Sequence, residues 1–181
     1  MRLIILDRDG VINEDRPESV RSVDHLKLLP GVGTAVARLN RAGYAVAIAT
    51  NQAVVGRGHI DLAMLDMIHA KMLAGISEYG GRIDRIYVAP ETPEQATPRR
   101  KPGPGMLLEA LRDFSAVAED TFMIGDDLTD LSAATAAACR PLLVRTGKGY
   151  LRQEESQKAF PALSIYDDLG AAVISILSGT V

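Results

Sequence analysis

Short apolar runs that stop abruptly on polar residues alternate along this chain with stretches of helical periodicity, and that alternation restricts the fold more than any other feature. Leu3 to Leu6 is the first run and stops at Asp7. Val32, Val36 and Leu39 then recur at i, i+4 and i+7, which predicts an amphipathic helix ending near Gly43. Tyr44 to Ala49 is a second run. Leu62, Leu65, Ile68, Met72 and Ile76 mark a long helix closed by Gly80 and Gly81. Ile83 to Val88, Thr121 to Ile124 and Pro141 to Val144 give three further strands. Helical patterns surround Leu107, Ala110, Leu111 and Phe114, then residues 130–138, then Leu169, Val173 and Leu177. Continuously apolar strands are those buried on both faces of a parallel sheet, and strands alternating with helices build an α/β fold. The expectation is a doubly wound, Rossmann-like parallel sheet of about five strands with helices on both faces, in a single domain spanning residues 1–181. No separate cap domain is expected, because the segment between Asp9 and Thr50 holds one helix, one strand and a loop over residues 13–29. That loop and the proline-rich loop from Pro90 to Pro104 are left to cover any site.

Composition narrows the partners. A formal net charge of −3 gives no reason to expect nucleic acid or an anionic membrane. No apolar stretch approaches the roughly 18 residues a bilayer span requires, and the first apolar run is too short for a signal peptide. A cytoplasmic monomer acting on a small molecule is the default. The single cysteine, Cys139, leaves neither an internal disulfide nor a Cys-rich zinc site.

In a parallel sheet, ligands bind beyond the carboxyl ends of the strands. Asp7 and Asp9 follow the first strand; Thr50, Asn51 and Gln52 follow the second. Arg99, Arg100 and Lys101 come across the loop from the third, and Asp126, Asp127 and Asp130 follow the fourth. Each segment alone is also what an ordinary turn contains. Together, several carboxylates on one edge would repel unless a cation sat among them, and oxygen ligands suit Mg²⁺. The Thr50 hydroxyl and Lys101 ammonium are donors suited to phosphate oxygens, and a carboxylate is able to attack phosphorus. His69, among apolar helix positions, reads as a core or boundary histidine.

On these residues the chain resembles the haloacid dehalogenase (HAD) superfamily of phosphatases: Asp7-x-Asp9-Gly10-Val11, Thr50, Lys101, and Gly125-Asp126-Asp127 with Asp130 stand in the family's order. Asp7-Arg8-Asp9-Gly10-Val11-Ile12-Asn13, Thr50-Asn51-Gln52, Arg100-Lys101-Pro102-x-Pro104-Gly105-Met106 and Arg145-Thr146-Gly147-Lys148-Gly149 are similar to the branch of heptose-1,7-bisphosphate 7-phosphatases and histidinol-phosphatases. The resemblance implies Asp7 as nucleophile and Asp9 as general acid–base, with Thr50 and Lys101 holding phosphoryl oxygens. It implies Mg²⁺ bound by Asp7, the Asp9 carbonyl and Asp126. Asn51, Gln52, Arg100 and Asp127 are expected to contact substrate, and Asp130 to brace Lys101 or simply begin a helix. The substrate implied is a small phosphorylated sugar, first of all the heptose bisphosphate used for cell-envelope glycans, with histidinol phosphate as the alternative. A receiver-like signalling module would need an aspartate after the third strand, where this chain has Ala89-Pro90-Glu91. Many members of the branch carry a zinc loop. The matching positions here are Ala89, Glu91, Thr97 and Arg99, so no zinc is expected, and Pro90, Pro93 and Pro98 are left to restrict the loop.

Overall fold

The computed structural model describes residues 1–181. One parallel sheet holds all the strands: β1 (Leu3–Leu6), β2 (Ala45–Asn51), β3 (Arg85–Ala89), β4 (Phe122–Gly125), β5 (Arg140–Val144) and β6 (Ser164–Tyr166), in the order β3-β2-β1-β4-β5-β6. The helices are α1 (Val32–Arg41), the single turn α2 (Ala53–Gly56), α3 (Leu62–Ser77), α4 (Gly105–Asp113), α5 (Leu128–Ala136), α6 (Gly149–Ala159) and α7 (Leu169–Ser178).

The central strand shows why its sequence is apolar throughout. Side chains alternate across a strand. Ile4 and Leu6 join a core on one face with α1, α3 and α7, while Leu3 and Ile5 join a second core on the other face with Met106, Leu107 and Ala110 of α4 and Ala133 and Ala134 of α5. A polar residue at any of the four would therefore be buried against one layer or the other.

The sheet has six strands rather than about five. β6 is three half-buried residues, and α6 buries only Gly149 and Ser156, so neither presents an apolar period to read. No helix is long and apolar enough to cross a membrane.

Chain direction across the sheet reverses between β1 and β4, which opens a crevice beyond their carboxyl ends. The Asp7 N–H donates to the Ile124 carbonyl at 2.9 Å, so the strand pairing persists to the first acidic residue. Ile5→Ala, a truncation at a fully buried position, is expected to lower unfolding free energy by about 2–5 kcal/mol. Leu151→Ala, at a position 82% exposed, should change it by less than about 0.5 kcal/mol. Urea denaturation of the two variants checks the contrast.

Candidate active site

The crevice is a cleft of about 290 Å³ lined almost wholly by polar side chains. Of the residues expected from sequence, Asp7, Asp9, Asn51, Arg100, Lys101, Asp126 and Asp127 line it. Thr50 and Gln52 lie a layer beneath, each almost completely buried.

Lys101 is the hub. Its side chain is 2% exposed, with Nζ 2.9 Å from Asp7 Oδ1 and 2.6 Å from Asp130 Oδ1. Burial disfavours the ammonium, but Asp130 and Asp7 outweigh it and raise the lysine's proton affinity. Asn51 fixes the backbone that carries it: the Asn51 amide donates to the Lys101 carbonyl at 2.8 Å and its Oδ1 accepts the Lys101 N–H at 3.0 Å. Asn51 thus lines the cleft with both polar atoms already engaged.

Asp130 sits in the first turn of α5, and its second oxygen accepts the N–H groups of Asp126 and Asp127, both at 3.1 Å. With one oxygen on Lys101 and the other on two amides, Asp130 is a brace, although its carboxylate lies within 4.8 Å of those of Asp7 and Asp126. The bracing and the helix-start readings of Asp130 are thus the same arrangement.

Asp126 is enclosed by glycine backbone. Gly10 (φ 83°) and Gly147 (φ 59°) approach its carboxylate from two sides, and a Cβ on either would overlap it. Oδ2 accepts the Lys148 N–H at 2.8 Å. Burial pushes the acid up, and the charges of Asp7 and Asp130 add to it, bringing Asp126 to about 8. Burial likewise raises Asp7, Lys101 pulls it back, and it stands at about 7. Two carboxylates that resist ionisation side by side, on a strand edge where the Asp9 carbonyl takes no main-chain hydrogen bond, make an all-oxygen donor set. Such a set fits a hard divalent cation. Asp7, Asp126 and the Asp9 carbonyl are the groups that would hold it.

Asp9 is in the opposite condition. Burial again acts upward, but the Arg8 guanidinium and hydrogen bonds from Asn13, Arg8 and Gln52 outweigh it, and the acid falls below its ordinary value. Arg8 Nη2 lies 2.9 Å from both carboxylate oxygens, Asn13 Nδ2 2.9 Å from one and Gln52 Nε2 2.8 Å from the other. The Gln52 amide also reaches Thr50 Oγ1 at 2.8 Å, leaving the threonine's own O–H to point elsewhere. Gln52 therefore acts on Asp9 in this state instead of lining the cleft.

Arg8 itself is fully buried, and its Nη1 lies 3.3 Å from His69 Nε2. Burial first, and then Arg8, push His69 down to about 4, so the imidazole is neutral and accepts from the guanidinium. His69 is a boundary histidine, as its place on α3 suggested, and it also supports the residue that holds Asp9.

Sequence reasoning passed over six cleft residues: Asp15, Ser19, Ala53, Arg57, Thr129 and Lys148. Lys148 stands inside a recognised motif and Thr129 in the first turn of α5; Asp15 and Ser19 lie in a loop without periodicity, and Ala53 and Arg57 begin and follow the single turn α2.

The loop that delivers Arg100 and Lys101 is closed by Glu91, Thr97 and Arg99. Thr97 Oγ1 donates to Glu91 Oε1 at 2.7 Å, and Arg99 forms a two-pronged pair with Glu109 at 2.6 and 2.9 Å while donating to the Val88 carbonyl. Polar clips thus supplement the prolines expected to restrain this loop.

Comparison with known proteins gives a consistent neighbourhood. The HAD-hydrolase-like family model matches residues 98–172. A D-glycero-beta-D-manno-heptose-1,7-bisphosphate 7-phosphatase of Pseudomonas putida is 40% identical over 172 residues, covering 94% of this chain and 97% of the relative. The Neisseria meningitidis serogroup A protein of the same name is 46% identical over 149 residues, 82% of this chain and 80% of the relative. The crystal structure of D,D-heptose 1,7-bisphosphate phosphatase from Bordetella bronchiseptica, complexed with magnesium and phosphate, superposes with a TM-score of 0.93 at 40% identity and covers 99% of both chains.

Asp7 and Asp126 both titrate well above the ordinary 3.8 in the folded protein. At these two sites the native state holds more protons than the unfolded chain between about pH 4 and pH 8; His69, lowered to about 4, opposes this only below its ordinary 6.5, so metal-free stability falls as pH rises, most steeply above about pH 6.5. Melting of chelator-treated protein is expected to drop between about pH 6 and pH 8.5, with added Mg²⁺ raising it more at the higher pH. A melting point that climbs with pH, or a Mg²⁺ shift that does not grow, would contradict this electrostatic picture.

Proposed function

The chain belongs to the HAD-like phosphatases, and from that premise we propose that residues 1–181 form one Mg²⁺-dependent catalytic domain that removes the 7-phosphate of D-glycero-D-manno-heptose 1,7-bisphosphate through an aspartyl-phosphate on Asp7. The observation that carries the chemistry is the meeting of Asp7 and Asp126, from the ends of β1 and β4, with Lys101 from the loop before α4, in one cleft at the β1/β4 crevice. The names of the relatives, at about 40% identity across nearly the whole chain, support the substrate.

Asp7 lies at the mouth of β1 with Lys101 on one oxygen and the Arg8 N–H, at 2.7 Å, on the same oxygen. Its other oxygen is the attacking atom. It bonds to phosphorus as the bond from phosphorus to the sugar oxygen breaks, and Asp9 passes a proton to that leaving oxygen. Asp9 then takes a proton from water whose oxygen attacks the phosphorus of the aspartyl-phosphate, releasing Asp7 and inorganic phosphate. Lys101 and the Thr50 hydroxyl hold the transferring oxygens, where positioning and charge neutralisation provide most of the catalysis. A bound Mg²⁺ supplies Lewis-acid neutralisation of the phosphoryl charge and of the neighbouring carboxylates.

Asp9 begins as a carboxylate under the hold of Arg8, Asn13 and Gln52. The anionic substrate raises its proton affinity on arrival, because a like charge nearby disfavours ionisation, and Asp9 takes up from solvent the proton that it then passes to the leaving oxygen. Arg8 and its neutral partner His69 set the starting orientation of the acid and keep it from drifting between rotamers.

Asp7→Asn is expected to lower kcat by at least about a thousandfold, and Asp9→Asn by about 10²–10⁴-fold, the usual share of a general acid–base. Phosphate release with Mg²⁺ across heptose 1,7-bisphosphate, fructose 1,6-bisphosphate and histidinol phosphate checks both the chemistry and the substrate. Full activity in Asp7→Asn would refute the nucleophile. A clear preference for histidinol phosphate would replace the heptose as substrate.

A further inference from the structure

The two carboxylate oxygens of Asp126 have unlike surroundings. Oδ2 is closed in by main chain: it accepts the Lys148 N–H at 2.8 Å, and a Cβ on either Gly10 or Gly147 would overlap it. The two glycines also lie against each other, since a Cβ on Gly147 would crowd the Gly10 Cα. Oδ1 accepts no hydrogen bond from the protein, and the residue lines the cleft.

The backbone that makes this enclosure is anchored on several sides. Gly10 N–H donates to the Asn13 carbonyl at 2.8 Å in the turn after β1. After β5, Arg145 N–H donates to the Tyr166 carbonyl of β6 at 2.8 Å, Gly149 N–H to the Thr146 carbonyl at 3.0 Å and Tyr150 N–H to the Arg145 carbonyl at 3.1 Å. Gly149 packs so near the Val144 carbonyl that a Cβ there would overlap it. The turn over residues 145–149 is therefore pinned to both β5 and β6. The Lys148 N–H leaves that turn with Asp126 Oδ2 as its acceptor.

A carboxylate can offer a cation one oxygen or two. Mg²⁺ demands near-octahedral geometry at short distance, keeps several waters and uses few carboxylates; Ca²⁺ is larger, takes more oxygens and accepts both from one carboxylate. With Oδ2 enclosed, Asp126 has one oxygen to offer. Asp130, the next acid in the cluster, has one oxygen on Lys101 and the other on two amides, so it does not supply the extra ligands a larger ion takes.

We propose that the main chain of Gly147 and Lys148, together with Gly10, is a cation-selecting device: it holds Asp126 as a one-oxygen ligand and so favours Mg²⁺ over Ca²⁺. Gly147 and Lys148 are positioning residues that act through Asp126. The proposal rests on the Mg²⁺ reading above and adds to it the segment that discriminates between ions. The Lys148 ammonium, 3.7 Å from Asp127 and 4.0 Å from Asp15, acts on the site through its charge, which bears on both divalent ions alike.

The test is isothermal titration calorimetry of chelator-stripped protein with MgCl2 and with CaCl2, in the absence of substrate. Wild type should bind Mg²⁺ at least as tightly as Ca²⁺. Gly147→Ala sets a methyl group against Oδ2, and Lys148→Pro removes the N–H donor at a φ of −86°, close to that of a proline ring. Each should weaken Mg²⁺ binding by about tenfold or more, the usual cost of losing an outer partner of a metal ligand. Ca²⁺ should lose markedly less, because a released carboxylate can turn both oxygens to the larger ion. Lys148→Ala keeps the N–H and should leave the ratio of the two Kd values as in wild type. Equal weakening of both ions, or unchanged Mg²⁺ affinity in folded Gly147→Ala, would overturn the proposal. So would a ratio that moves as far in Lys148→Ala as in Lys148→Pro. Circular dichroism identifies a variant that has not folded, and a wild-type preference for Ca²⁺ overturns the proposal without any variant. Failure of wild type to bind Mg²⁺ removes the metal reading itself, whereas Mg²⁺ binding with an insensitive ratio removes only this role of the turn.

Discussion

A buried lysine governs the arrangement of this molecule. The Lys101 ammonium is almost wholly removed from water, a state that is tolerable only with compensating charge at contact distance. Asp7 and Asp130 provide it. Their positions are not independent: Asp7 emerges from β1, Asp130 from the first turn of α5, and Asn51 at the end of β2 grips the lysine's own peptide. One cation thereby ties together two strand ends, the start of α5 and the proline-rich loop. Asp130 carries the constraint onward by receiving the amides of Asp126 and Asp127, which sets the direction of the Asp126 carboxylate. An anion entering this cleft meets a cation already fixed in place by its carboxylate partners.

The acids beside that lysine divide into two populations. Asp7 and Asp126 are crowded and reluctant to ionise, whereas Asp9, two residues from Asp7, is held as a carboxylate by three side-chain partners. Chain geometry accounts for the difference. Asp7 faces Lys101 in the shared crevice, and Asp9 faces Arg8, which itself contacts His69. In the metal-free protein this separation is the reverse of what a nucleophile and a general acid require; a cation held by Asp7 and Asp126 would favour their ionised forms, and substrate charge beside Asp9 would favour its protonated one.

The parts of this arrangement that could be read in the sequence are those tied to local pattern. Leu3–Leu6 predicts a doubly buried strand, and the aspartate that interrupts it must lie at the sheet's edge; the same logic locates Thr50 and Asp126. Ordered spacing with Gly10 and Lys101 then links the segments. What escaped depends on partners far apart in the chain. Arg8 and His69 meet across 61 positions, and neither residue's neighbours reveal the contact. Arg57 and Lys148 belong to loops whose direction is set by the strands beneath them. The sixth strand and α6 were invisible for a different reason: they bury too little apolar surface to impose a period. Gln52 lies next to the cleft, but its amide turns inward to Asp9, a choice made by hydrogen-bond supply and not by sequence position.

The loop that presents Arg100 and Lys101 is fastened by Thr97 to Glu91 and by Arg99 to Glu109 and the Val88 carbonyl. Fastenings of this kind have their own vulnerabilities. They offer no thiol to an oxidant, being made of hydroxyl, carboxylate, guanidinium and carbonyl groups. They do answer to ionic strength, since the Arg99–Glu109 pair is partly exposed and screened by salt. They also have an acid limit, which lies low, because Arg99 holds Glu109 and Thr97 helps hold Glu91 below the usual carboxylate range. The reach of the loop is thus coupled to the salinity of its surroundings and uncoupled from their redox state.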